Sequence, residues 1–155
     1  MDNKRKELKV SALRNGTVID HIPSDKSFQV LNILNLDGDK HQIYFGTNLD
    51  SKKYGKKGII KISDKYFEDE EINKISLVAP SATIIEIRDY EVIRKEQISL
   101  PDTVEKIVKC YNPKCVTNLQ DVPTMFTVIT DHKGQMKLAC HYCEKTMAKE
   151  NFEFH

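Results

Sequence analysis

The chain has 155 residues, of which 39% are hydrophobic and 30% charged, and its formal net charge is +1. This composition excludes a largely disordered chain and gives no overall charge that would attract nucleic acid or anionic lipid. No apolar run approaches the roughly 20 residues of a membrane span, and no apolar segment follows the basic N-terminus, so we expect no membrane segment, no secretory signal and a cytoplasmic protein.

The N-terminal part of the chain predicts a hairpin followed by a helix. Leu8–Leu13 and Thr17–Ile22 are typical of strands, and Asn15-Gly16 between them is a hairpin-type turn signal. Ser24 is the expected N-cap of the helix. The apolar residues at helical spacing in this helix are Phe28, Leu31 and Leu34, with Val30 and Ile33 beside them.

The segment that follows predicts two strands, a second helix and a further strand. Strands are predicted over 41–46 and 58–63, joined by a loop rich in lysine and glycine. The acidic run 68–71 begins a second helix, where the helix dipole favours acids. Residues 83–95 predict a strand that is broken near Asp89. The order indicates an α+β unit: a ferredoxin-like split βαβ antiparallel sheet with two helices on one face.

Four cysteines lie in the last third of the chain, at Cys110, Cys115, Cys140 and Cys143. Two close pairs of thiolates suit one tetrahedral zinc ion that joins two turns distant in sequence. The alternatives are two disulfides, which a reducing cytosol disfavours, or four unrelated buried thiols. Four thiolates complete the coordination of zinc, so we expect a structural ion and no zinc catalysis.

The cysteines belong to a second, smaller unit. Strands over 126–131 and 135–139, joined by a turn at Lys133-Gly134, predict a small zinc-ribbon-like antiparallel β domain. The sequence Ser99 to Asp102 is the expected joint, which gives domains 1–100 and 101–155. The second domain has few large apolar residues, so metal binding should supply much of its folding free energy.

The first unit offers little catalytic chemistry. It has no phosphate-binding glycine loop, no cysteine and no plausible pair of base and nucleophile, so we expect no catalytic residue. Asp20 and His21 are neighbours, and neighbours on a strand point to opposite faces. Lys61 points away from the face that Ile60 and Ile62 share, and is either an exposed-face residue or an anion ligand. Lys95 raises the same question.

A nucleic-acid-binding zinc ribbon is the main alternative from another class. The four cysteines and the lysines between residues 52 and 61 favour it. Against it, residues 101–155 carry seven basic and seven acidic side chains, and aromatic residues do not interleave with the basic ones. We therefore expect no nucleic-acid partner.

Several strings, in order and with matching spacing, resemble the regulatory chain of aspartate carbamoyltransferase. Each string alone is only moderately specific, but the combination is highly specific and extends over essentially the whole chain. The strings are GTVIDHIP at 16–23, IIKI at 59–62, APSAT at 79–83, YEV at 90–92, and CHYCEK at 140–145.

This resemblance implies a chain without catalytic activity. It implies an N-terminal allosteric domain that binds nucleoside triphosphates and a C-terminal zinc domain that docks on the catalytic chain. In that family CTP inhibits, in some members together with UTP, and ATP activates. The implied assembly is a dodecamer in which three regulatory homodimers join two catalytic trimers, so pyrimidine biosynthesis is controlled by its end product and by purine supply.

The resemblance also implies roles for individual residues. Lys61 and Lys95 match the lysines that contact the triphosphate, and Asp20 and His21 match positions beside the ribose and phosphates. The residues matching the edge strand beside the nucleotide are Val10, Ala12 and Leu13. Those matching the wall around the base and ribose are Ile87, Tyr90 and Val92.

Some positions depart from the family pattern. Ile85 stands where a polar asparagine is common, and Glu7 stands where a basic residue often helps to hold phosphates. In the zinc domain, Asn112 and Glu144 match positions that face the catalytic chain, whereas Lys114 replaces a polar neighbour. We expect the first two departures to bear on nucleotide selectivity and the last on the contact with the catalytic chain.

Overall fold

The chain divides into two compact units, Met1–Ser99 and Leu100–His155. The structure, a computed structural model, describes residues 13–36, 40–52 and 55–155. Within these ranges no helix is both long and apolar enough to cross a bilayer. The predicted strand Leu8–Leu13 falls outside the described residues, except for Leu13, which is buried and not part of a strand.

The first unit is a five-stranded antiparallel sheet in the order β2-β3-β1-β4-β5. The first four strands in this order have the connections of a split βαβ fold, and β5 extends the sheet as a hairpin partner of β4. The predicted α+β class is therefore confirmed. The elements are β1 (Gly16–Pro23), α1 (Ser27–Ile33), β2 (Ile43–Ser51), β3 (Gly55–Ser63), α2 (Asp69–Val78), β4 (Thr83–Arg88) and β5 (Glu91–Gln97).

One face of the sheet packs on the helices. The backbone of Gly58 lies against α1, where an added Cβ would be 2.4 Å from the Cβ of Ser27. Side chains alternate along a strand, so Ile60 and Ile62 point the same way, and both are fully buried. In α2, Ile75 is fully buried as well. Burial of each such isoleucine contributes about 1.5–3 kcal/mol of hydrophobic free energy.

The opposite face of the sheet has a small apolar cluster of its own. Leu13, Val18 and Ile87 are buried there, and Ile59 and Ile85 pack against them. This face also carries Lys61, because Lys61 pairs directly with Val18 across the strands. We call this surface, made by Val18, Ile59, Lys61, Ile85 and Ile87, the distal face.

The strands of the β2–β3 hairpin are longer than predicted. Most of the predicted lysine- and glycine-rich loop forms ladder pairs, among them Leu49 with Lys57 and Asp50 with Lys56. The pair Lys56 and Asp50 also forms an ion pair at 2.6 Å. Opposite charges on facing positions favour strand pairing, and an exposed pair of this kind contributes up to about 1 kcal/mol to it.

The start of the first helix also differs from the prediction. Ser24 lies in a short 3-10 turn before α1 rather than at its N-cap, and its hydroxyl accepts the N–H of Asn48 at 2.9 Å. The buried residues of α1 are Ser27 and Val30, and Leu34, just past its end, is buried too, while Phe28 is 61% exposed. Phe28 instead packs edge to face on Phe45 of β2.

The predicted break near Asp89 is a two-residue hairpin turn. Arg88 pairs with Glu91, and both turn residues, Asp89 and Tyr90, have positive φ values of 51° and 66°. Two consecutive positive φ values define a type I′ turn, which matches the twist of the flanking strands. Such a turn usually contains glycine or asparagine, so a tyrosine in it is uncommon.

The second unit is a small antiparallel β structure. A four-stranded sheet has the order β10-β9-β8-β6, and β7 pairs with β11. Phe126, Val104 and Leu138 are fully buried in it. Its elements are β6 (Thr103–Glu105), β7 (Val108–Lys109), α3 (Val116–Leu119), β8 (Met125–Thr130), β9 (Met136–Cys140), β10 (Thr146–Ala148) and β11 (Glu153–Phe154).

Candidate metal centre and ligand-binding face

The four cysteines converge on one point of the second unit. Their Sγ atoms all lie within 4.8 Å of one another. The Cys110 and Cys143 sulfurs are 3.7 Å apart, and those of Cys115 and Cys140 are 3.8 Å apart. A disulfide requires about 2.05 Å, whereas four sulfurs at about 2.3 Å from a central zinc lie about 3.8 Å from one another. The spacing therefore fits tetrahedral thiolate ligation and not disulfides.

Backbone turns place each pair of thiols. The first turn is closed by the N–H of Cys115, which donates to the carbonyl of Asn112, and the Asn118 amide braces the same loop. The second turn is closed by the N–H of Glu144, which donates to the carbonyl of Cys140. Glu144 has a φ of 64°, a conformation that favours glycine or asparagine.

Burial makes two of the four thiols, Cys110 and Cys140, poor anions without a cation nearby. Burial raises the pKa of Cys110 to about 12, although the backbone N–H of Asn112 acts in the opposite direction. Burial also raises the pKa of Cys140. At Cys143 burial acts in the same sense, but the N–H of Lys145 and the amide of Asn112 outweigh it and bring the pKa to about 7. A divalent metal would supply the missing positive charge.

These pKa shifts predict that metal binding weakens as pH falls. Thiols with raised pKa values are protonated near neutral pH, so the metal must displace protons when it binds. We expect the apparent affinity to fall about tenfold per pH unit for each displaced proton. Competition with a chromogenic chelator between pH 8 and pH 6 measures this. An affinity that does not change over this range would contradict thiolate ligation.

On the distal face, Lys61 is the most unusual residue. It is a lysine only 6% exposed, and burial lowers its pKa, while the Asp20 carboxylate partly restores it. Direct strand pairing places Lys61, Val18, Ile85 and Lys95 in one row across the sheet. The two lysines are three strand spacings apart, about 14 Å between their backbones. They lie at the two ends of an apolar strip.

Asp20 connects Lys61 to a further lysine. Its carboxylate accepts the Lys57 ammonium at 2.7 Å, and the two side chains are only 17% and 19% exposed. The same oxygen accepts the N–H of His21 at 2.7 Å, where a bulge in β1 gives His21 a φ of 57°. The His21 ring contacts the Thr83 hydroxyl at 3.1 Å. Thr83 pairs directly with Asp20, so the bulge brings the His21 ring to the face of the sheet that carries the Asp20 carboxylate.

Sequence reasoning did not single out Lys57. The signal was its spacing, because positions four apart on a strand share a face, which places Lys57 on the face of Lys61 about 13 Å further along the strand. The prediction of a loop at 47–57 hid this periodicity, since a loop has no regular alternation.

The other residues that the sequence assigned to the nucleotide site differ in their exposure. Leu13 and Ile87 are buried in the distal cluster, whereas Tyr90 and Val92 are 69% and 59% exposed. Val10, Ala12 and Glu7 lie outside the described residues. Ile85, the departure from the family pattern, is half-buried between Val18 and Lys95.

The surface around the metal centre is rich in exposed side chains. Tyr111 and Tyr142, next to the cysteines, are 48% and 43% exposed, and Leu119 of α3 is 68% exposed. Glu144 is exposed, and Asn112 is half-buried.

The fold and the cysteine cluster together define a two-domain protein with a structural thiolate metal centre in its smaller domain. Comparison with known families is consistent with this class. The model for the allosteric domain of the aspartate carbamoyltransferase regulatory chain matches residues 8–99, and the model for its metal binding domain matches residues 102–153. The chain therefore belongs to the family of aspartate carbamoyltransferase regulatory chains. It is a regulatory subunit, and catalysis belongs to a separate chain.

Relatives with this description come from several organisms. The regulatory chain of Bacteroides thetaiotaomicron is 54% identical over 150 residues, which cover 97% of each chain. That of Phocaeicola vulgatus is 50% identical over 153 residues, covering 99% of this chain and 97% of the relative. That of Pyrococcus horikoshii is 47% identical over 146 residues, covering 93% of this chain and 95% of the relative. The similarity thus extends over both domains.

Proposed function

We propose that this chain binds nucleoside triphosphates on its distal face and transmits their effect to the catalytic chain of aspartate carbamoyltransferase. The observation that carries the proposal is Lys61, a lysine buried on the face of the sheet that faces away from the helices. A buried cation beside an apolar cluster is costly unless it serves an anion. A nucleoside triphosphate provides both an anion and a flat aromatic base whose face can pack on the apolar cluster.

The distal face divides into two chemically distinct parts. Lys57 and Lys61 lie with Asp20 at one part, and Lys95 stands in the same row across the strands as Lys61; these lysines would hold a triphosphate, with Asp20 beside the ribose. Lysines suit this role because a point charge neutralises phosphates without imposing bidentate geometry. Leu13 and Ile87 are buried in the apolar cluster of this face, and together with the exposed Tyr90 and Val92 they would hold the base. Apolar and backbone contacts tolerate both purine and pyrimidine bases, so CTP, UTP and ATP would compete for one site.

For the metal centre we propose one structural zinc ion per chain, held by Cys110, Cys115, Cys140 and Cys143. Four sulfur ligands at tetrahedral spacing favour zinc over hard cations. Four ligands leave no open position, so the ion orders the docking surface and takes no part in chemistry. Thiolate ligation also suits the reducing cytoplasm, where we place the protein.

The proposed mechanism is a shift between two states of an assembly. Regulatory homodimers would join catalytic trimers, in the dodecamer of two trimers and three dimers that the family resemblance implies. A nucleotide changes the equilibrium only if it binds the two states with different affinity. By linkage, a ligand of the catalytic site must then change nucleotide affinity by the same factor.

Reconstitution tests this proposal. The zinc-loaded chain is mixed with catalytic trimers from the same organism, and gel filtration and aspartate saturation curves are recorded. We expect one larger complex, whose aspartate dependence shifts with CTP and with ATP, while the trimers alone respond to neither. A complex that forms but ignores both nucleotides would contradict the sensing role, and failure to form a complex would contradict docking.

A further inference from the structure

The Asn15 side chain connects two segments that border the proposed nucleotide site. Its Oδ1 atom accepts the N–H of Asp89, in the turn between β4 and β5, at 3.0 Å. The next N–H of this turn, that of Tyr90, donates to the carbonyl of Arg14 at 2.9 Å. Both N–H groups of the turn are therefore satisfied by the short segment between Leu13 and β1.

The turn needs this support because its conformation is unfavourable for its residues. Asp89 and Tyr90 have positive φ values of 51° and 66°. Such a conformation costs of order 1–2 kcal/mol for each residue other than glycine. The Tyr90 ring is also 69% exposed, so burial contributes little to holding it. Hydrogen bonds from outside the turn, together with the ion pair between Arg14 and Asp89 at 3.7 Å, hold it in position.

Asn15 is itself rigidly placed. Its carbonyl accepts the N–H of Asp64 at 2.9 Å, and it precedes Gly16, which enters β1. A Cβ at Gly16 would lie 2.1 Å from the carbonyl oxygen of Ile62, so the strand passes this point in a way that only glycine allows. The sequence indicated a hairpin turn at Asn15-Gly16. In the structure this motif connects the start of β1 with the end of β3 and with the turn between β4 and β5.

We propose that Asn15 is a positioning residue for the base end of the nucleotide site. It would hold the Tyr90 turn at a fixed position relative to Leu13, so that both border the same base. This inference rests on the proposed nucleotide-binding function and names a residue that acts through Tyr90 rather than by contact with the ligand. The phosphate end, around Lys57 and Lys61, should be independent of Asn15.

Calorimetric titration of the zinc-loaded full chain with ATP and with inorganic tripolyphosphate tests this. Asn15→Ala should weaken ATP about fivefold, the effect of one lost hydrogen bond, and leave tripolyphosphate unchanged. Asn15→Asp, which keeps an acceptor oxygen, should retain ATP affinity within about twofold. Tyr90→Ala should weaken ATP about tenfold through lost stacking. Adding Asn15→Ala to Tyr90→Ala should then cause no further loss.

The outcomes distinguish failure of the proposed Asn15 role from failure of the proposed nucleotide-binding function. If Asn15→Ala weakens ATP and tripolyphosphate equally, or leaves ATP unchanged, or still acts when Tyr90 is alanine, Asn15 does not position Tyr90. If the folded wild-type chain binds neither ATP nor tripolyphosphate, the proposed function is wrong and the inference falls with it. Hydrogen exchange at the Asp89 amide, which Asn15→Ala should accelerate, checks the contact without any ligand.

Discussion

Replacement of Cys140 by serine is expected to release the metal and unfold residues 100–155, while the first unit stays folded. The Cys140 thiol is buried 3.8 Å from that of Cys115, and a serine oxygen is a poor substitute for a thiolate ligand. The apparent binding free energy of a structural zinc ion is about 10–16 kcal/mol. The hydrophobic core of a domain of this size supplies only about 3–5 kcal/mol, so the domain depends on the metal to stay folded. Metal content and the amide NMR spectrum measure both effects.

His141 provides the matched control for this variant. It adjoins Cys140 but is exposed, and its ring packs on Tyr142 rather than reaching into the cysteine cluster. His141→Ala should therefore keep one metal ion per chain and the full spectrum. If Cys140→Ser also kept the metal and the folded spectrum, the structural role of the centre would be wrong.

Replacement of Lys61 by methionine is expected to weaken ATP and CTP strongly without weakening the fold. Hydrogen bonds to charged partners contribute about 1.5–3 kcal/mol, which corresponds to a loss of roughly 10- to 150-fold in affinity. Adenosine and cytidine, which lack phosphates, should bind the variant as they bind the wild type. Calorimetry with each nucleotide and its nucleoside measures the difference.

The stability of the ligand-free variant gives a second test. Burial lowers the pKa of Lys61, so its charged form destabilises the fold at neutral pH, and this cost disappears only as pH rises past the lowered pKa. Lys61→Met should therefore leave the midpoint of thermal unfolding unchanged or raise it at pH 7. Lys56→Met, at an exposed lysine paired with Asp50, is the control that should retain triphosphate affinity. Equal losses for nucleotide and nucleoside would show that Lys61 is not a phosphate ligand.

The cluster of four cysteines was predictable from the sequence because the cysteines are of one residue type at close spacing. The pairs formed by Cys110 with Cys115 and Cys140 with Cys143 are each short enough to be held by one turn. The convergence of the two pairs depends on the β8–β9 hairpin, which was itself predictable from its alternation and from the turn at Gly134.

The distal face was harder to predict because it depends on strand order. The alternation around Lys61 indicated which way its side chain points, but not that Val18 and Ile85 would separate it from Lys95. That row follows from the register of four strands, which no local pattern specifies. Lys57 was missed because tertiary pairing extended β3 through residues whose composition is typical of a loop.

The turn at Tyr90 shows a different limit of local reasoning. A break near Asp89 was predicted, yet neither turn residue is glycine, and the strain is compensated by Asn15, which is distant in sequence. Such compensation is visible only when the sheet is assembled. Residues in unfavourable backbone conformations often lie at functional sites.

The central claim, one nucleotide site on the distal face of each chain, is tested most directly by competition calorimetry on the purified zinc-loaded chain. ATP is titrated into the chain alone and into the chain saturated with CTP. We predict one ATP site per chain, an apparent ATP affinity that falls as CTP rises, and loss of both signals in Lys61→Met. Binding of ATP that is unaffected by saturating CTP, or no binding of either nucleotide to the folded chain, would contradict the account.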